Sequence, residues 1–238
     1  MNILAFDTAA DVFSIGLSVD GKRPQSRRCY CLTVDGGQKH SELIMDGADT
    51  LLQTAGIAKT ELEAVACMEG PGSFTGLRIG FSAAKGLALA LGVPVIPVPT
   101  LDCMAAPFPF WPGIVVPVID AKKNAFFTAL YRQGKRLCGY LDIEIDGIIN
   151  NLTKIIAQQK HPLLVTGPAS HLVLDGLRAE FPGTVSDTTF TRGYAYELLN
   201  LAMEKVIINS ELTDYSVGPL YLRKSDAELN IKMDKPDG

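Results

Sequence analysis

The feature that most restricts this chain is a strand–turn–strand unit that occurs twice. Residues 3–17 (ILAFDTAADVFSIGL) and residues 114–131 (IVVPVIDAKKNAFFTALY) each run from an apolar stretch to an aspartate, through a short turn, into a second apolar stretch. A gapless shift of 113 residues, the separation of Asp7 from Asp120, also superposes Phe13 on Phe126, Leu17 on Leu130, Gly21 on Gly134 and Lys22 on Lys135. Five identities in about twenty positions also arise between unrelated units of this kind, so the duplication is an expectation for the sheet topology to meet.

The surrounding sequence has the elements such a unit needs. In the first half, strands are expected at residues 3–6, 12–19 and 27–34, the second closing on the Asp20–Gly21 turn. A helix follows over residues 40–55, ended by Gly56, then a buried strand at 64–68 and a helix over 74–91, stopped by Gly92 and Pro94. VPVIPVP reads as extended and LDCMAA as a short helix, while PFPFWPG at 107–113 reads as a linker. Two domains are therefore expected, 1–105 and 106–238. The second repeats the order with strands at 114–120, 126–135 and 137–144, a helix at 147–158, a strand at 163–166, and helices at 170–180 and 194–209. Three strands, then helix, strand and helix, define an α/β fold in which a mixed sheet flanked by helices is built twice.

Composition excludes several function classes. A chain of 238 residues with 47% hydrophobic residues buries a large core. A net charge of −4 draws the chain as a whole neither to nucleic acid nor to anionic lipid, so RNA binding calls for cations supplied by a partner. Five scattered cysteines without a CxxC pair argue against a disulfide framework or a zinc site and fit a reducing cytoplasm. No apolar run of about 18 residues and no leader are seen, so neither membrane insertion nor secretion is expected.

The stretch EGPGSFTGLRIG at 69–80 has the look of a phosphate cradle, yet Gly76 is followed by Leu77 where a phosphate loop needs lysine, and Thr75 stands where a dinucleotide loop needs glycine. Weak anion binding at the helix start stays open beside the plainer reading, a strand-to-helix turn capped by Ser73 or Thr75. Inside the helix, Gly76, Gly80, Ala84 and Ala88 recur every four residues and form a ridge of small side chains. Each helical glycine costs roughly 1 kcal/mol against alanine, so a close neighbour is expected there, from the same domain or from another subunit. His40, His161 and His171 form no HxxxH pair, and no GxSxG is present. Asp7 and Asp120, each at a strand end, suggest paired carboxylates facing one cleft and holding magnesium through water, although no glycine follows either to admit a phosphate.

Taken together, ILAFDTAADVFSIGL, KHSELI, EGPGSFTGLRIG, VVPVIDAKKNAFFTALY and PLYLRKSDAE resemble the bacterial TsaB (YeaZ) family over residues 2–228. The resemblance implies duplicated ribonuclease-H-like subdomains of the actin, sugar-kinase and Hsp70-like (ASKHA) superfamily. It implies a non-catalytic scaffold that supports TsaD in transferring threonylcarbamoyl to the adenosine beside the tRNA anticodon. TsaE and TsaC are the further implied partners, with tRNA met through the complex and a homodimer when TsaD is absent. TsaD-like relatives carry two metal-binding histidines where this chain has His40 followed by Ser41 and Glu42, so no metal is expected. The implied partner face comprises His40, Leu43, Ile44, Leu51, Gly72, Phe74, Gly76, Gly80 and Ala84. Asp7, Thr8 and Asp120 would mark a vestigial nucleotide site, with no cofactor expected beyond ATP and magnesium held weakly or between partners. The competing expectations are an ATPase or kinase using Asp7 and Asp120, and a metalloprotease, for which the ligand set is missing.

Overall fold

The computed structural model describes residues 1–21, 26–35, 40–156, 162–187, 193–208 and 216–223, and of His40 the backbone only. Lys22, His161 and the tail after Arg223 lie outside the described residues.

The first half builds β1 (Ile3–Asp7), β2 (Val12–Val19), β3 (Arg28–Asp35), α1 (His40–Ala55), β4 (Ala64–Gly70), α2 (Phe74–Leu91), β5 (Val95–Pro99) and α3 (Thr100–Ala105). The second builds β6 (Ile114–Asp120), β7 (Ala125–Thr128), β8 (Tyr131–Arg132), β9 (Lys135–Arg136), β10 (Leu141–Glu144), α4 (Ile145–Ile156), β11 (Leu163–Thr166), α5 (Ser170–Glu180), β12 (Val185–Ser186) and α6 (Ala195–Ile208). The first sheet has the order β3-β2-β1-β4-β5 and the second β10-β7-β6-β11-β12. In both, the first three strands are antiparallel and the remaining pairs parallel. The duplication expected from the Asp7–Asp120 register is thus met strand for strand.

Period-2 alternation explains how the sheets are covered. Along β1, Leu4 and Phe6 enter a core completed by Ile44, Leu51 and Leu52 of α1 and Phe81, Ala84 and Ala88 of α2. Ile3 and Ala5 face the other way, into a central core that also receives Leu101 and Met104 of α3, Val115 and Leu164 of the second sheet, and Leu198, Leu199 and Ala202 of α6. A third core joins β6 and β11 to α4 and α5. The last helix therefore covers the first sheet, and Gly16 of β2 admits it: a methyl at Gly16 would lie 2.8 Å from Leu199.

Two expectations need correction. Residues 126–135 are not one strand: β7 stops at Thr128, and a tight β8–β9 hairpin turns at Gln133 and Gly134, both with positive φ. Its register is held by Tyr131 opposite Val115 of β6, and the strand expected over 137–144 shrinks to β10 as a result. The PFPFWPG stretch is no loose tether, because Trp111 donates from its indole to the Pro162 carbonyl and Ile114 N donates to the same oxygen.

Candidate functional site

Asp7 ends β1 only 3% exposed, directly opposite Ser14 of β2. The Ser14 hydroxyl donates to its Oδ2 at 2.9 Å, the Tyr194 amide donates to the same oxygen at 2.8 Å, and the Ala9 amide reaches Oδ1 at 3.4 Å. Ser14 Oγ in turn accepts from the Ala195 amide at 3.1 Å. Asp7 and Ser14 together thus cap the N-terminus of α6, where a negative charge is favoured by the helix dipole. Sequence reasoning found Asp7 but missed Ser14 and Tyr194; the available signal was a serine in an otherwise apolar strand, at the register position facing the aspartate.

The cavity beside Asp7, about 260 Å³, is lined by Asp7, Asp11, Asp35, Met104, Pro168 and Tyr194, among others, and among the described residues its lining includes three carboxylates and no cationic side chain. Asp120 does not join it. Its Oδ1 accepts from the Lys122 amide at 2.7 Å and its Oδ2 from Lys122 Nζ at 2.8 Å, and it lines a separate cavity of about 390 Å³ with Pro71, Phe74, Phe127 and Tyr221. The hydrogen bond from the Lys122 side chain holds the Asp120 carboxyl below its usual range. Asp7 and Asp120 thus line different cavities, and each accepts hydrogen bonds from its own chain. Lys122, Lys123 and Asn124 take φ values of 62°, 55° and 60°, a left-handed path without a glycine. Among the described residues no group of three acidic, histidine or cysteine side chains converges as metal ligands.

The loop at 69–80 is used by the chain itself. Ser73 caps α2, its Oγ accepting from Gly76 N at 3.2 Å, and Ser73 N donates to Ala9 O at 2.8 Å. Thr8, expected at a nucleotide site, donates its hydroxyl to the Gly76 carbonyl at 2.7 Å. A methyl on Gly76 would strike the Thr8 carbonyl, one on Gly80 the Thr8 hydroxyl, and one on Gly72 would come within 2.6 Å of Ala9 O. The glycine ridge thus admits the β1–β2 turn, which is the same-domain alternative. Gly76, Gly80 and Ala84 are buried, and Thr8 of their own chain fills the space beside the two glycines. Ile44 and Leu51 are likewise buried on the sheet, and Leu43 is half-buried.

What the two helices present outward is different. Phe74, Met45 and Leu89 are exposed, Leu89 to 60%, and Gly86 has nothing within 4 Å of where a methyl would stand. Ser82, Gly86 and Ala90, also exposed, give α2 a second ridge of small residues on the side away from the core.

This architecture, two copies of one mixed sheet with helices between and outside them, places the chain among the actin, sugar-kinase and Hsp70-like proteins. The family described as TsaD, tRNA N6-adenosine threonylcarbamoyltransferase, matches residues 35–214. The chain belongs to that family and, within it, to TsaB, also called YeaZ. It is 26% identical to the tRNA threonylcarbamoyladenosine biosynthesis protein TsaB of Bacillus subtilis over 96% of both chains. Against TsaB of Escherichia coli strain K12 the identity is 36% over 136 residues, 56% of each chain. YeaZ from Pseudomonas aeruginosa shares the fold with a TM-score of 0.75, at 22% identity, covering 93% of this chain and 99% of that one. No helix among the described residues is long and apolar enough to cross a membrane.

Proposed function

We propose that the chain is a non-catalytic subunit that binds a TsaD-type threonylcarbamoyltransferase and supports transfer of the threonylcarbamoyl group to tRNA. The observation that carries this reading is the use of Asp7: the carboxylate best placed to serve a nucleotide is buried and spent on fastening α6 to the first sheet. The acidic cavity beside it supports the same reading, since a triphosphate would meet carboxylates there. Kinship with TsaB proteins supports the pathway, and kinship with the transferase family supports a TsaD-type partner of similar shape.

The partner surface in this reading is the outward face of α1 and α2, with Met45, Phe74 and Leu89 as apolar anchors and the Ser82–Gly86–Ala90 ridge allowing close helix approach. A homodimer through the same face is the form expected without TsaD, and TsaE and tRNA join the assembly with TsaD.

The test is size-exclusion chromatography of the chain with TsaD from its own organism, together with mass spectrometry of threonylcarbamoyladenosine in reconstituted reactions. Co-elution and dependence of the modification on the chain are expected. Leu89→Glu should abolish co-elution while leaving the urea midpoint unchanged. ATP turnover by the isolated chain, lost in Asp7→Asn, would refute the reading.

A further inference from the structure

A cavity of about 820 Å³ lies away from both aspartates, between α3, α6 and the β8–β9 hairpin. Its hairpin side is lined by Tyr131, Gly134 and Arg136. Arg132, Lys135 and Arg136 stand exposed within five residues, and among the described residues neither Arg132 nor Lys135 has an ion-pair partner. The Arg136 guanidinium lies 4.0 Å from the centre of the Tyr140 ring and 3.7 Å from Asp102 Oδ1. Asp102 itself accepts from the Tyr131 hydroxyl at 2.5 Å and the Tyr140 hydroxyl at 2.9 Å.

Next to the hairpin stands Phe110, 94% exposed. It is held there by a stiff loop: prolines at 107, 109 and 112, Phe108 N donating to Ala105 O, Trp111 N donating to Phe108 O, and the Trp111 indole tied to Pro162. A methyl on Gly134, at the hairpin tip, would sit 3.9 Å from Pro109, so loop and hairpin form one edge. A large aromatic kept in water on a rigid backbone loses little entropy when something stacks on it.

We propose that the β8–β9 hairpin and the Phe110 loop form a contact surface for single-stranded RNA. Unpaired cations follow a phosphate backbone, and exposed rings accept unstacked bases of any identity; both are present on this edge, Arg132 and Lys135 on the hairpin face opposite Tyr131 and Arg136, and Phe110 on the loop beside the hairpin tip. The opposite bank carries Glu197 and Glu204 of α6, with Arg27 bound to Asn200. The inference rests on the chain acting in a tRNA-modifying assembly and names the part of it that touches RNA.

The experiment is fluorescence anisotropy of the full chain with a labelled single-stranded RNA of about 15 nucleotides, at about 50 mM and about 200 mM salt. Arg132→Glu combined with Lys135→Glu should raise Kd about tenfold or more at low salt and lower the logarithmic salt slope by about 1 to 2. Phe110→Ala should raise Kd about tenfold with the slope unchanged, because stacking releases no counterions. All three positions are exposed, and retained unfolding midpoints exclude misfolding as the cause. Unchanged affinity in both variants, or no binding by the unaltered chain at low salt, overturns the inference. If instead the variants keep RNA affinity but no longer co-elute with TsaD, the edge is a protein-docking surface and the RNA inference falls. Variants that assemble, modify tRNA and bind RNA normally sink this inference alone, whereas RNA binding through the hairpin by a chain that never meets TsaD sinks the proposed function alone.

Discussion

At the scale of single residues, buried acids act here as fasteners. Asp7→Asn would keep the shape but bring an amide group into a site where Ser14 and the Tyr194 amide both donate. The expected loss is about 2 kcal/mol, typical for a buried hydrogen bond to a charged group, read as a lower urea midpoint with unchanged m-value. Tyr131 and Tyr140 give a pH signature. Burial first, and the Asp102 carboxylate second, push both phenols well above their ordinary value of 10.0. The folded chain keeps protons that the unfolded chain releases near that pH, so their contribution is complete below it and declines as pH rises above it. Stability should therefore fall on the alkaline side, and Tyr131→Phe should flatten that fall while costing about 1 kcal/mol at neutral pH.

For an element, α2 shows what a sequence pattern leaves undecided. The four-residue spacing of Gly76, Gly80, Ala84 and Ala88 was visible as a ridge needing a close neighbour, but spacing does not say which chain supplies it. Thr8 supplies it. Ser82, Gly86 and Ala90 have the same spacing and face outward, so two ridges of similar composition have opposite fates. Substitutions should separate them. Gly86→Ala adds a methyl in open space and should stabilise the isolated chain by up to about 1 kcal/mol. Gly80→Ala drives a methyl onto the Thr8 hydroxyl and should destabilise it by about 1–3 kcal/mol. Thermal or urea unfolding of the two variants decides this, and equal effects would mean that the ridges are packed alike. The hairpin at 131–136 was hidden for a different reason: FFTALYRQGK reads as one continuous strand, and only the pairing of Tyr131 with Val115 shows where it breaks.

For the whole molecule, the two halves are bound by segments distant in sequence. α6 closes the inner face of the first sheet, and residues 220–223 cross between halves: Leu220 N donates to Glu69 O at 2.7 Å, and Tyr221 lies 5.0 Å from the Phe74 ring. Arg223 grips both oxygens of Asp142, at 2.8 and 2.6 Å, and donates to the Ala121 carbonyl at 3.0 Å. Arg223→Met should therefore lower stability by about 2 kcal/mol, measured by urea unfolding, since it leaves a largely buried carboxylate unpaired. A fragment of residues 1–105 should bind a hydrophobic dye and fail to unfold cooperatively, because Ile3, Ala5 and Met68 lose their cover; adding residues 106–238 in trans should restore a cooperative transition.

The sequence alone determined the duplicated α/β plan and the order of most elements, because periodicity and turn residues are local properties of the chain; its motifs carried the family resemblance, and the structure chose Ser73 over Thr75 as the cap of α2. Tertiary structure decided that Asp7 caps α6, that Asp7 and Asp120 line different cavities, and that the inner glycine ridge is filled. Each of these depends on contacts between residues about 70 to 190 positions apart, and local patterns do not record which distant surface arrives to fill a face.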